Sequence, residues 1–264
     1  MKTTKTTQPR WAAFPYDARE YTYSAAALKQ HWARLHAGDA EPWPADPKVL
    51  AAWVLFHAGE FQKAFDAGLK AGGAGVTVAN KAQAIHAHYL EKSEKARLAI
   101  FQAVIARARA QVAAEPENPN AHYWLAHALG RYSQGISVVK ALSQGLGTQI
   151  RTALETTVAL APSHADAHIM LGGYHAEVID KVGSLLGRTQ GASKDAGLAM
   201  FREALRLNPS SAIAMVEYAR GLVMLEGDKK MLQAEQLYAA AAACTPLDAT
   251  ERLDIEMAKA ELED

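Results

Sequence analysis

Apolar residues recur along this chain at intervals of three and four, and the runs are broken at regular places. That spacing puts them on one face of an α-helix, which turns once in 3.6 residues. The pattern predicts a helix over residues 25–36 that stops at Gly38 and Asp39. The string Glu41-Pro42-Trp43-Pro44-Ala45-Asp46-Pro47 cannot be helical inside, because each proline lacks a donor and restricts the residue before it. Asp46 and Pro47 form an N-cap and first-turn pair. The helix they open carries the longest apolar run, Val49 to Phe56, and breaks at Gly59. Further helices are predicted over 60–70, 79–91 and 93–114, with 71–75 as a glycine-rich loop. In the last of these, Ile100, Val104, Ile105 and Ala108 make one stripe and leave Arg107 and Arg109 outside it.

The carboxyl half repeats itself. Four helices each end in a proline and a polar turn, at Pro116, Pro162, Pro209 and Pro246, and a new helix follows each turn. Internal repetition at such a period means stacked supersecondary units, each burying its apolar face on its neighbours. Ala234, Tyr238, Ala241 and Pro246 keep the same offsets as Gly197, Phe201, Ala204 and Pro209. The helices that open two units read Ala121-His122-Tyr123-Trp124-Leu125-Ala126 and Ala167-His168-Ile169-Met170-Leu171-Gly172, with large-small pairs at Leu125-Ala126 and Leu171-Gly172.

These residues resemble the tetratricopeptide (TPR) repeat, a helix pair with small residues where helices A and B touch and a proline closing helix B. The resemblance implies an all-α fold, a right-handed α-solenoid of stacked antiparallel helix pairs. Gly197 stands where the family usually has alanine. Two units are longer than the usual repeat, through inserts at 134–148 and 177–195 that mix apolar residues with glycine. A lengthened helix A followed by a glycine-rich turn is expected there. The Gly130-Arg131-Tyr132 turn and the long insert after it resemble the regulator-of-microtubule-dynamics type. The chain then divides into a poorly ordered aromatic tail (1–20), divergent helical pairs (21–115), TPR-like repeats with long inserts (116–248) and a helix capping the open end of the solenoid (249–264). Trp11, Phe14, Tyr16, Tyr21 and Tyr23 at the amino end either lie back on the first helices or dock a partner.

Charge narrows the partners. Twenty-eight Lys and Arg balance 28 Asp and Glu, so the basic excess that nucleic acid demands is missing and no nucleic-acid partner is expected. The single cysteine, Cys244, excludes an intrachain disulfide framework and a multi-cysteine zinc site. No apolar stretch follows the first charges and no run approaches the ~20 residues of a membrane span, so a cytoplasmic protein without a membrane span is expected.

Candidate chemistry is sparse. His164, His168 and His175 fall near one helical face, and a helical metal-dependent enzyme would use them. His164, however, precedes its helix, and His168 occupies the same repeat position as His122, which suits packing. His175-Ala176-Glu177 matches half of a deaminase zinc motif whose cysteine pair is missing. No H-E-x-x-H, G-x-S-x-G, P-loop or G-x-G-x-x-G string occurs. No enzyme, cofactor or metal is therefore expected. In the resembled family helix A lines the concave face. Carried over by position, that lining is Asn120, Tyr123 and His127, then Asp166, Ile169 and Gly173, then Ile213, Val216 and Arg220, and the candidate contacts among them are Asn120, Tyr123, His127, Asp166, Ile169 and Arg220. Such a mixture suits a protein or peptide partner held in the groove of a noncatalytic scaffold. The alternative is a carrier of a lipid or other apolar small molecule, enclosed by the long inserts.

Overall fold

The computed structural model describes residues 10–263, and every regular element among them is helical. Thirteen α-helices follow in order: α1 (Ala25–Leu35), α2 (Pro47–His57), α3 (Phe61–Ala71), α4 (Gly75–Ile85), α5 (Glu94–Ala114), α6 (Pro119–Gln134), α7 (Val138–Ser143), α8 (Leu146–Leu160), α9 (Ala165–Thr189), α10 (Lys194–Leu207), α11 (Ala212–Glu226), α12 (Met231–Ala242) and α13 (Ala249–Glu263). Polar caps mark the starts. Ser24, Asp46, Ser93, Asn118, Ser193 and Ser211 each accept a backbone N–H of the first turn, and Pro47 and Pro119 fill first-turn positions that need no donor.

Successive helices pack as antiparallel neighbours: α2 on α3, α6 on α8, α9 on α10, and α11 on α12. Small residues permit the approach. A Cβ on Gly68 would lie 2.5 Å from the Gly75 carbonyl oxygen, and one on Gly75 would lie 2.5 Å from that of Gly68. The same approach starts α4 at Gly75, earlier than residue 79, where the apolar pattern begins. Phe201 of α10 is fully buried between Gly172 of α9 and Gly221 of α11.

The two inserts differ. The second lengthens its helix as expected: α9 runs to Thr189, broken at Gly183, whose φ of 77° takes the left-handed region that glycine tolerates. The first does not. α6 stops at Gln134, and Ser137 caps a separate short helix, α7. Gly135 lies so close to Leu98 of α5 that a Cβ would fall 2.6 Å from its side chain, so the chain turns there.

At the amino end Trp11 stacks on His86 at 4.5 Å and Phe14 packs edge-on to Phe61. Residues 1–9 of the aromatic tail, and Asp264, lie outside the described residues.

The superhelix closes on itself. α13 packs on α12 and α11 and also reaches α2, with Ala249 and Leu253 entering the apolar cluster of the first helices. Polar contacts reinforce the seam: the Tyr23 hydroxyl donates to the Leu247 carbonyl at 2.6 Å, His57 Nδ1 meets Asp248 at 2.7 Å, and Arg34 pairs with Glu251 at 2.6 Å. The Tyr89 hydroxyl bonds Asp254. The last helix thus joins the two ends of the solenoid.

Candidate functional site

Closure turns the concave face into a central cavity of about 540 Å³. Its lining positions on α9 run from Asp166 to Val182, about 24 Å of helix. The inner end, where the A helices begin, presents Asp39, Lys81, Asp166, Asp248 and Asp254. Tyr123, Ile169, Met170, Leu146, Ile150 and Tyr174 form apolar and aromatic walls. The outer end lies between the inserts, where Val139 and Leu185 are 78% and 80% exposed.

One segment of the chain crosses the groove. It is the loop between α1 and α2, where Asp39 pairs with Lys81 of α4 at 2.6 Å and His36 Nδ1 contacts the same carboxylate at 2.8 Å. Asn120 Nδ2 donates to the Asp39 carbonyl (2.9 Å) and to Glu41 (2.6 Å). The Asp166 backbone N–H donates to the Gly38 carbonyl at 3.0 Å. Gly38 leaves room for the Asp166 side chain, since a Cβ would stand 2.5 Å from a carboxylate oxygen and push it aside.

The six positions taken from the helix-A register separate accordingly. Tyr123, His127, Asp166 and Ile169 line the cavity. Asn120 is buried and holds the chain's own loop. Arg220 pairs with Glu217 at 3.3 Å and Glu261 at 2.5 Å, and is outside the lining. Four groups of the inner end went unnoticed in the sequence: Asp39, Lys81, Asp248 and Asp254. Lys81 had a signal, being the lone Lys, Arg, Asp or Glu between residues 75 and 90. The others arrive through long-range contacts that no local pattern encodes.

The three histidines weighed as ligands point elsewhere. His164 accepts the Ala167 N–H at Nδ1 (3.1 Å) and reaches the Asn120 carbonyl oxygen through Nε2 (3.0 Å), so it is a neutral N-cap. His168 Nε2 meets the Pro162 carbonyl at 3.2 Å, as His122 meets that of Pro116 at 2.8 Å, a shared repeat contact. His175 Nδ1 accepts from Ser193 N. Among the described residues no group of three or more such side chains could hold a metal ion.

Burial governs protonation here. It lifts the Asp166 carboxyl to about 7 and that of Glu41 to about 8, with the Asp39 charge adding to both. It pushes His36 and His164 down to about 4 and His127 to about 3. Both carboxyls therefore keep their protons in the fold where the unfolded chain has released them. Their stabilisation is complete below the ordinary carboxylate range and drains as pH rises through 7 and 8. The histidines act with the opposite sign. They stay neutral in the fold, so their contribution is full above pH 6.5 and is lost as pH falls below it. Above about pH 7.5 the histidines of the unfolded chain are neutral too and the carboxyls alone change, so stability is expected to fall by about 1 kcal/mol between pH 7.5 and 9. Thermal melting across that range measures it, and a flat or rising melting temperature would contradict these protonation states.

Helix pairs stacked in sequence order, with small residues at their crossings and a lined concave face, define a TPR-like α-solenoid. The profile of the family described as regulator of microtubule dynamics protein 1-3 matches residues 76–263, well over half of the chain, and the protein belongs to that family. Its fold is similar to the crystal structure of a thermophilic TPR protein from Thermus thermophilus, with a TM-score of 0.58 and 16% identity over 81% of this chain and 98% of that one. Comparison with curated proteins gives no match. Fold and family together suggest a protein-interaction scaffold. No helix among the described residues is long and apolar enough to cross a membrane.

Proposed function

We propose that this protein is a noncatalytic interaction scaffold that takes a short segment of a partner protein into its central cavity. One observation carries the reading: the concave face is already crossed by the loop at Gly38 to Glu41 and bridged by α13. A long extended peptide running through the groove would collide with both. The remaining space, about 540 Å³, falls in the ~300–1,000 Å³ range of sites for compact ligands. Tyr123, His127, Asp166 and Ile169 would contact the segment. Asn120 would act indirectly, by holding the loop that shapes the inner end. The family description names microtubule dynamics, which makes polymerised tubulin the first partner to try.

A photo-crosslinking side chain at position 123 should capture the partner, and one at Leu232, which is exposed on α12, should not. Ile169→Trp, which fills the cavity, should abolish capture. Equal capture from both positions would refute the cavity as the binding site.

One observation favours a second reading, an apolar small-molecule carrier. Leu146, Ile150, Met170 and Val178 surround the cavity between the inserts. Native mass spectrometry of freshly purified protein separates the readings, because a co-purifying apolar molecule belongs to a carrier.

A further inference from the structure

The inner end of the cavity holds one carboxyl group, that of Asp166, without a partner among the described residues. Each lysine or arginine on the wall already has a carboxylate: Lys81 has Asp39, Arg131 has Glu217 at 3.6 Å, and Lys181 has Glu177 at 3.2 Å. Asp248 has His57, and Asp254 has the Tyr89 hydroxyl. The Asp166 carboxyl, on a half-buried residue, bonds no described residue and lines the cavity; it holds its proton up to about pH 7 and above that is an unpaired carboxylate. Isolated carboxylates are costly to bury, and the cost is removed when a cation pairs with them. The cavity wall carries two further acceptors. Tyr123 and His127, one turn apart on α6, offer a hydroxyl and a buried ring nitrogen, Nδ1, that bond nothing among the described residues. Burial keeps His127 neutral, so its ring can accept.

We propose that this inner end receives an organic ammonium group on an apolar stem, as a lysine side chain of the partner segment carries, with Asp166 as its counter-ion and Tyr123 and His127 beside it. The inference rests on the cavity being the binding site. An ammonium has three donors and suits one free carboxylate with two neutral acceptors. A guanidinium would want a carboxylate fork with both oxygens presented to its planar face. An anion would meet the Asp39 and Asp248 carboxylates, and among the described residues no lysine or arginine on the wall is unpaired. The stem would lie along Ile169 and Met170, which continue from Asp166 on the same face of α9.

Calorimetric titration with hexylammonium, hexanol and hexanoate tests the charge with the stem held constant. Hexylammonium is expected to bind at least tenfold more tightly than hexanol, and hexanoate not to bind detectably. At pH 8, where Asp166 is ionised, Asp166→Asn should remove that preference, leave hexanol unchanged, and raise the melting temperature of the free protein by relieving an unpaired carboxylate. Affinity lost from a more stable protein cannot come from misfolding. If hexanol binds as tightly as hexylammonium, or the preference survives Asp166→Asn, the ammonium inference falls while the cavity reading stands. If none of the three binds, the ammonium inference falls, and capture at position 123 decides the cavity reading separately. A lysine-containing peptide titrated against its norleucine counterpart settles the source. A preference for lysine supports the partner segment, and hexylammonium binding without that preference overturns it in favour of a free amine.

Discussion

Phe201→Ala is expected to destabilise the protein by about 3–5 kcal/mol, the cost of deleting a fully buried aromatic ring that its surroundings cannot replace. The reason is the particular packing at this point. The ring lies between two glycines on different helices, Gly172 and Gly221, where a Cβ would stand 2.8 Å and 2.3 Å from its carbon atoms. Helices α9 and α11 are held apart by their helical geometry, so neither glycine can move in to fill the space. The ring also stacks on Tyr218 at 5.3 Å and touches Ile169, a wall residue of the cavity. Loss of the ring is therefore expected to loosen the site as well as the stack. Urea denaturation measures the difference, with Leu232→Ala as a surface control expected within about 0.5 kcal/mol of the parent. A Phe201→Ala loss below 1 kcal/mol would mean that the helices collapse around the gap and that the glycine contacts do not set the spacing.

The second large effect concerns closure. Asp248→Ala is expected to cost about 2–3 kcal/mol, because it leaves His57, which has no exposed surface, without its hydrogen-bond partner and removes the acceptor of the Glu251 N–H. Burial pushes the Asp248 carboxyl up, but the hydrogen bond and charge of His57 outweigh it and hold the group below its ordinary value. The consequence is expected to be local. Repeat units rest on their neighbours, so α6 to α11 keep their contacts when the seam opens. Hydrogen exchange should quicken in α2 and α13, and at the contacts of Tyr23 with Leu247 and Tyr89 with Asp254, while α9 to α11 change little. Uniform quickening throughout the chain would mean that the ring unfolds as one unit, and no change at α13 would mean that the apolar contacts of Ala249 and Leu253 suffice for closure.

The helices themselves were readable. Their ends are written by prolines, glycines and capping residues that act within a few positions, and the boundaries of α2, α3 and α5 lie within one residue of the apolar pattern. The repeat offsets identified the solenoid, because a small residue at a fixed place in each unit is a direct geometric demand of two helices touching. Tyr123 and Ile169 were legible as lining for the same reason: their place in helix A sets the direction in which they point. Asn120 and Arg220 occupy equally regular places, yet Asn120 is occupied by the loop at Asp39 and Arg220 by Glu217 and Glu261.

Periodicity, capping and the small-residue contacts between paired helices are thus determined by the sequence alone, since each depends on interactions spanning one turn or one unit. Closure was decided by the tertiary structure. It depends on a small rotation between units that accumulates along the whole stack, and no local pattern records that sum. The meeting of α13 with α2, the loop laid across the groove and the gathering of Asp39, Asp166, Asp248 and Asp254 at one end of a cavity all follow from that accumulated rotation.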